Sequence, residues 1–138
     1  MRKWAPLLLV LASLVACSSS PDTHTLKGTM TLVGYSNIYT RSDTREAGDE
    51  CTGHEGYDDI AAGVQVKVSD GSKTLGVGEL GLGTLRVDSD SSETCVFPIR
   101  VDDVSDSKFY TVEVSHRGGI SYSAAKLDRS GWRVYFSL

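Results

Sequence analysis

The sequence predicts an all-β domain, built as an antiparallel β-sandwich of about seven short strands. Apolar and polar residues alternate with a period of two in one stretch after another. No stretch shows a sustained helical period, and turn signals such as Asp70-Gly71 and Gly118-Gly119 separate the stretches. Such alternation is typical of a sheet that packs one face on a core and exposes the other to water.

Each predicted strand carries apolar residues at every second position. In chain order the segments are 26–32, 64–68, 75–77, 95–101, 110–116, 120–122 and 132–138. Within the fourth segment, Pro98 lacks the N–H group that a strand ladder uses, which predicts an edge position or a bulge there. Short strands separated by turns in this way predict a sandwich of the Ig-like or transthyretin-like kind.

The start of the chain has the features of an export signal. Arg2 and Lys3 form a basic start, an apolar run follows over residues 7–15, and the chain turns polar directly after Cys17. The apolar run is shorter than the roughly 20 residues that a membrane-spanning helix needs. We therefore expect a cleaved signal peptide rather than a membrane span.

The motif Leu14-Val15-Ala16-Cys17 resembles the lipobox of bacterial lipoproteins, in which the cysteine is lipidated and becomes the mature N-terminus. The resemblance implies a signal peptide over residues 1–16 and a lipidated Cys17 at the start of a flexible tether over 17–23. The β-sandwich domain predicted from the alternation then covers residues 24–138. It also implies a location at the extracytoplasmic face of the bacterial cell membrane. The alternative is an ordinary cleaved signal with an incidental cysteine, for which the leucine three residues before the cut is too large.

The charge balance limits the partners of the mature chain. Cleavage before Cys17 leaves 122 residues, which suit one domain, with 12 basic and 18 acidic side chains. An excess of acidic residues argues against nucleic-acid binding, which needs clustered Lys and Arg. It also argues against attraction to anionic lipid, so the membrane contact would be hydrophobic. Stable attachment takes more than one acyl chain, and a lipobox cysteine, by resemblance, carries a diacylglyceryl group.

Lipidation of Cys17 would leave Cys51 and Cys95 as an even pair. In an oxidising, extracytoplasmic compartment this pair predicts one disulfide. Closing a loop of that length contributes roughly 4 kcal/mol to stability in the chain-entropy model. The competing interpretation, a thiolate nucleophile or metal ligand, needs reduced cysteines outside the cytoplasm.

Four sequence blocks from the middle and end of the chain, taken together, resemble those of other proteins. They are Cys51-Thr-Gly-His-Glu-Gly-Tyr57-Asp58-Asp59-Ile60, Gly63-Val64-Gln-Val66-Lys-Val68-Ser-Asp70, Cys95-Val-Phe97-Pro-Ile-Arg-Val101-Asp-Asp103-Val104 and Phe109-Tyr110-Thr-Val112-Glu113-Val114-Ser115-His116-Arg117-Gly118. Together they resemble a group of small extracytoplasmic lipoproteins of actinobacteria with no established function. The resemblance covers roughly residues 51–138. It implies an extracytoplasmic domain with a disulfide, and it brings no catalytic residues with it.

The segment 36–56 is the longest polar stretch, and a loop of this length in a compact domain is usually functional or mobile. Tyr35 and Tyr39 lie close in sequence to Arg41 and Arg45, and tyrosine is enriched at recognition surfaces. The alternative is that these tyrosines cover a half-buried sheet surface. We expect these four residues to form a binding patch. The domain would then be a non-catalytic binding or structural module, without a cofactor, whose partner is an envelope protein or a small ligand.

Residues 49–59 hold the densest polar cluster and support an alternative function, an envelope hydrolase or a metal-binding module. Loop carboxylates can bind Ca²⁺, and His54 beside glutamates could give zinc a partial ligand set. The spacing matches neither an EF-hand loop nor a zinc-protease helix, and no Gly-x-Ser-x-Gly motif offers a serine nucleophile. We therefore predict no metal and no catalytic residue. Glu50, His54, Asp58 and Asp59 are the residues that a metal would use.

Overall fold

The structure is a computed structural model, and it describes residues 21–138. The predicted signal peptide, Cys17 and the first part of the predicted tether lie outside the described residues. Within the described range, no helix has the length and apolar character needed to cross a bilayer.

Residues 21–138 form ten strands and one short α-helix, with a single 3-10 turn at Tyr35–Asn37. The elements are β1 (Thr23–Val33), β2 (Ile38–Thr40), β3 (Glu50–Gly53), β4 (Gln65–Ser69), β5 (Thr74–Leu80), β6 (Gly83–Val87), β7 (Glu93–Ser105), β8 (Phe109–Val114), β9 (Gly119–Ser123), α1 (Ala124–Arg129) and β10 (Arg133–Ser137).

All ten strands belong to one hydrogen-bonded sheet that curls into a half-barrel. The strand order is β2-β3-β6-β7-β5-β4-β8-β9, and β1 lies along the other edge of β7 with β10 beside it. The β1–β10 pair is parallel, whereas the other pairs are antiparallel. β7 is the hub because one of its edges pairs with β1 over nearly its whole length, while the opposite edge pairs first with β6 and then with β5.

Pro98 lies where the partner of β7 changes from β6 to β5. Val96 pairs with β6 and Ile99 pairs with β5. The backbone nitrogen of Pro98, which carries no hydrogen, therefore faces the connection between β5 and β6 rather than a paired strand. The Pro98 carbonyl still accepts a hydrogen bond from the Gly81 N–H at 2.8 Å. A proline is tolerated in the central strand because no ladder donor is required there.

The core is formed by the inward-facing residues of the curled sheet. In β7 they include Cys95, Phe97, Ile99 and Val101, which are all at most 3 % exposed. The intervening residues of β7 point outward. We call the outward-facing residues of β2, β3, β6, β7, β1 and β10 the outer face.

The predicted all-β class, the antiparallel pairing and the disulfide are confirmed, but the predicted number of about seven strands is wrong. β2 and β3 have only three and four residues inside the polar segment 36–56, too few to show an alternation. β5 and β6 are separate strands on the same edge of β7. The helix α1 has six residues and begins after the N-cap Ser123, which is too short for a visible helical period.

Candidate functional site

The disulfide Cys51–Cys95 joins β3 to β7 inside the core, with a Cα–Cα distance of 6.0 Å. The bond crosses the inner side of β6, which lies between the two strands. Gly83 of β6 makes room for it, since a Cβ atom there would lie 2.8 Å from Sγ of Cys95 and 2.6 Å from the Phe97 ring. Both sulfur atoms are bonded, so neither cysteine is free to act as a nucleophile or metal ligand in this structure.

The side chain of Arg45 fastens the first part of the segment 36–56 to β7. Its Nε donates to the Glu93 carboxylate at 3.0 Å, and Nη2 bonds the same carboxylate. Nη1 donates to the Ile38 carbonyl at 3.2 Å, and the guanidinium lies 4.2 Å from the centre of the Tyr35 ring. The hydrogen bond to Glu93 raises the pKa of Arg45 above its usual value. Arg45 is therefore engaged inside the protein rather than directed at solvent.

Tyr39 and Arg41, the other half of the predicted patch, lie at a solvent-facing cavity. Tyr39 is 51 % exposed and pairs across the β2–β3 hairpin with Thr52. The cavity has a volume of about 120 Å³ and is lined by Tyr39, Arg41, Glu50, Cys51 and Thr52. Arg41 forms no ion pair within residues 21–138. The cavity therefore offers an aromatic ring, a hydroxyl, a carboxylate and an unpaired guanidinium to a ligand.

The side chains of the polar cluster in residues 49–59 do not converge on a common point. Nδ1 of His54 lies 4.0 Å from Asp58, beyond hydrogen-bond distance, while Glu50 points outward from β3. Asp59 is held by Arg117, whose Nε donates to it at 2.9 Å, and this hydrogen bond lowers the pKa of Asp59. Across the described part of the chain, no group of three His, Cys, Asp or Glu side chains could hold a metal ion.

A second cavity lies on the same outer face as the hairpin cavity. Its volume is about 280 Å³, and its lining residues are Thr29, Thr84, Arg86, Val96 and Pro98. The register connects the two cavities, because Glu50 pairs with Thr84 and Thr84 pairs with Val96. On the far side, Thr29 pairs with Tyr135, which is 68 % exposed. The outer face is thus one continuous surface, on which hydroxyl groups alternate with charged side chains, with Tyr39 on one strand and Tyr135 on another.

Neither Tyr135 nor Arg86 is among the candidate residues predicted from the sequence. Each belongs to a regularly alternating strand, where an outward polar or aromatic side chain is ordinary. Only the pairing of neighbouring strands shows that they share one surface, because it places Tyr135 beside Thr29, which lines the same cavity as Arg86.

Comparison with known proteins does not assign the chain to a group. No protein-family model, no curated protein and no solved structure matches it. The resemblance to actinobacterial lipoproteins stays a prediction, and the function is inferred from the contacts and charges of residues 21–138.

Proposed function

We propose that this protein is a lipid-anchored, non-catalytic binding module of the bacterial cell envelope, and that its outer face contacts the partner. The observation that carries the proposal is the location of two cavities on one exposed sheet face, between Tyr39 and Tyr135. Binding residues are well positioned when a rigid scaffold holds them. Here the disulfide and the Arg45–Glu93 ion pair supply that rigidity beneath the β2–β3 hairpin.

The proposed anchor is a diacylglyceryl group on Cys17, with acyl chains such as palmitate, added after removal of residues 1–16. A disulfide is typical of oxidising compartments, which supports an extracytoplasmic location. The partner is an envelope protein or a small ligand, and the lipid provides the contact with the membrane. The finer interpretation of the fold, an Ig-like or transthyretin-like sandwich, remains part of this proposal, as does an actinobacterial source.

The alternative function, a hydrolase or metal-binding module based on residues 49–59, gains no specific support. Asp59 is engaged by Arg117, and His54 has no second ligand at bonding distance within the described residues. A hydrolytic or metal centre needs converging groups.

The anchor is tested by expressing the full chain in an actinobacterial host that is fed labelled palmitate. We expect the wild-type chain to incorporate the label and to sediment with membranes, and the Cys17→Ser variant to do neither. An unlabelled wild-type chain in the soluble fraction would contradict the lipoprotein assignment.

Binding is tested separately with the mature Cys17→Ser chain, which needs no lipid. We expect it to cosediment with actinobacterial cell-envelope fragments, and we expect Tyr39→Ala combined with Tyr135→Ala to abolish cosedimentation. Phe109→Ala is the control, because Phe109 is 65 % exposed but belongs to β8, outside the outer face. Equal losses in the two variants, or no cosedimentation of the parent chain, would refute a binding role of the outer face.

A further inference from the structure

Three cationic residues stand side by side on the outer face. Arg100 of β7 pairs with Lys27 of β1, and Lys27 pairs with Arg133 of β10. Their side chains point outward, since their neighbours Leu26, Val101 and Val134 are buried. Adjacent strands lie roughly 4.8 Å apart, so a line drawn across the sheet meets one cation on each strand. We call these three residues the cationic row.

The cationic row is only partly neutralised by the protein itself. Arg100 forms an ion pair with Asp102, with Nη2 at 2.8 Å from Oδ1, and Glu79 of β5 lies opposite Arg100 in the register. Lys27 and Arg133 form no ion pair within residues 21–138, although Lys27 is close enough to Asp102 to help Arg100 lower the pKa of that carboxyl. Like charges directly opposite each other on neighbouring strands destabilise a sheet. Two unpaired cations side by side in an acidic protein therefore indicate a surface that is complementary to an anion.

The row next to the cations has a different chemistry. The register aligns Pro98, Thr29 and Tyr135 in this row, which lies two residues beyond the cations on β1 and β10 and two residues before Arg100 on the antiparallel β7. Tyr135 is 68 % exposed, so its ring is available as a flat apolar surface with a polar end. Thr29 adds a hydroxyl group, and it also lines the cavity of about 280 Å³ on the outer face.

We propose that the outer face binds an acidic polysaccharide that runs across β7, β1 and β10. Its carboxylates contact Arg100, Lys27 and Arg133, while a sugar ring packs on Tyr135. This inference rests on the proposed binding role of the outer face and names the ligand class for it. A polymer that crosses the strands would meet one cation on each of β7, β1 and β10, and the exposed ring of Tyr135 lies in the adjacent row, where a sugar ring of the same polymer can stack.

Two other anionic partners fit the surface less well. A lipid surface is flat and wide, and it would also meet the excess of 18 acidic over 12 basic side chains in the mature chain. An extended acidic peptide would supply carboxylates to the same cations, but it has no sugar ring to stack on the exposed face of Tyr135. Neither partner makes particular use of an exposed aromatic ring beside the charges.

The test is titration calorimetry of the mature Cys17→Ser chain with a pentamer of galacturonate. Maltopentaose serves as the neutral sugar, polyglutamate as the acidic peptide, and vesicles containing phosphatidylglycerol as the anionic membrane. We expect saturable binding of the galacturonate pentamer that weakens as salt is added, and no binding of maltopentaose. Hydrogen bonds to charged groups contribute enough that Lys27→Gln combined with Arg133→Gln should weaken the affinity at least tenfold.

The matched control is Lys73→Gln combined with Arg129→Gln, which removes the same charge from exposed positions in the β4–β5 turn and in α1. We expect this control to bind as the parent chain does. The Lys27→Gln, Arg133→Gln variant should also unfold at about the same temperature as the parent chain, because removing the repulsion between the two cations offsets the lost attraction between Lys27 and Asp102. Loss of binding without loss of stability separates a ligand contact from a structural role.

Four outcomes would overturn the inference: no binding of the galacturonate pentamer, equal binding of maltopentaose, stronger binding of polyglutamate or vesicles, or equal weakening in the control variant. The cosedimentation assay then distinguishes the two proposals. If envelope binding depends on Tyr39 and Tyr135 but survives Lys27→Gln with Arg133→Gln, the ligand class is wrong and the binding role of the outer face stands.

Discussion

Replacing Arg45 with alanine should destabilise the protein strongly, although Arg45 lies in a polar segment that looks like a surface loop in the sequence. The side chain of Arg45 is 18 % exposed and that of Glu93 only 10 % exposed. Arg45 also donates to the carbonyls of Ile38 and Tyr35. The variant would therefore leave a largely buried carboxylate and two backbone acceptors without their donor.

The size of the effect follows from these contacts. Removing one partner of a fully buried ion pair costs about 3–5 kcal/mol, because an uncompensated charge remains behind. The pair here is not fully buried, so the lower end applies, and the cation–π contact with the exposed Tyr35 ring adds only about 0.5 kcal/mol. We expect a loss of about 3 kcal/mol in the free energy of unfolding. At roughly 4 °C per kcal/mol for a domain of this size, the unfolding temperature should fall by about 12 °C.

A double-mutant cycle measured by urea unfolding tests the pair itself. We expect Arg45→Ala and Glu93→Ala each to be destabilising, and the double variant to be only slightly worse than either one. The coupling free energy should then be about 2 kcal/mol. A coupling below about 0.5 kcal/mol would refute the ion pair as a structural link. If Arg45 were instead a ligand contact, Arg45→Ala would weaken binding and leave the unfolding curve unchanged.

Three further predictions concern the scaffold. Cys51→Ser combined with serine at its disulfide partner should cost about 4 kcal/mol in denaturant unfolding, from the 44-residue separation of the cysteines. Arg117 holds the pKa of Asp59 below its usual 3.8, so this carboxylate stabilises the fold above that pH, and the contribution is lost as the pH falls through the lower, folded-state pKa. Asp59→Asn should therefore flatten the loss of thermal stability below about pH 4, by less than about 1 kcal/mol for this exposed pair. Gly28→Ala would place a Cβ 1.8 Å from the Val134 carbonyl oxygen, so β10 should loosen and its amides should exchange hydrogen faster.

The sequence predicts those parts of the fold that depend on a local pattern, such as the alternation of apolar and polar residues within one strand. The alternation around Val66 and Val68 and around Tyr110 and Val112 predicts strands that the structure contains, as β4 and β8. The disulfide follows from the cysteine count and the expected compartment. The hub position of β7 is not predictable in this way, because it depends on which strands pair with its two edges, over separations of about 70 residues in the case of β1.

In the candidate site too, the contacts of single residues depend on parts of the chain that are distant in sequence. Tyr35, Tyr39, Arg41 and Arg45 lie close together in the sequence, and both residue types are enriched at recognition surfaces, so the sequence alone predicts a single patch. The structure separates them, because Glu93 from β7 reaches Arg45 and nothing comparable reaches Arg41 within the described residues. The partner of a charged loop residue is a tertiary contact, and a single sequence does not reveal it.

A binding surface on a sheet face is spread through the sequence even further. Lys27, Arg100 and Arg133 are separated by 73 and 33 residues, yet the register makes them neighbours. Their position also fits the proposed anchor. Cys17 precedes Thr23 by six residues, which span at most about 20 Å, and β1 leads away from that point with Lys27 about 13 Å further along. The proposed anchor would therefore hold Lys27 within about 33 Å of the lipidated cysteine, near enough to the membrane to meet a polysaccharide at the cell surface.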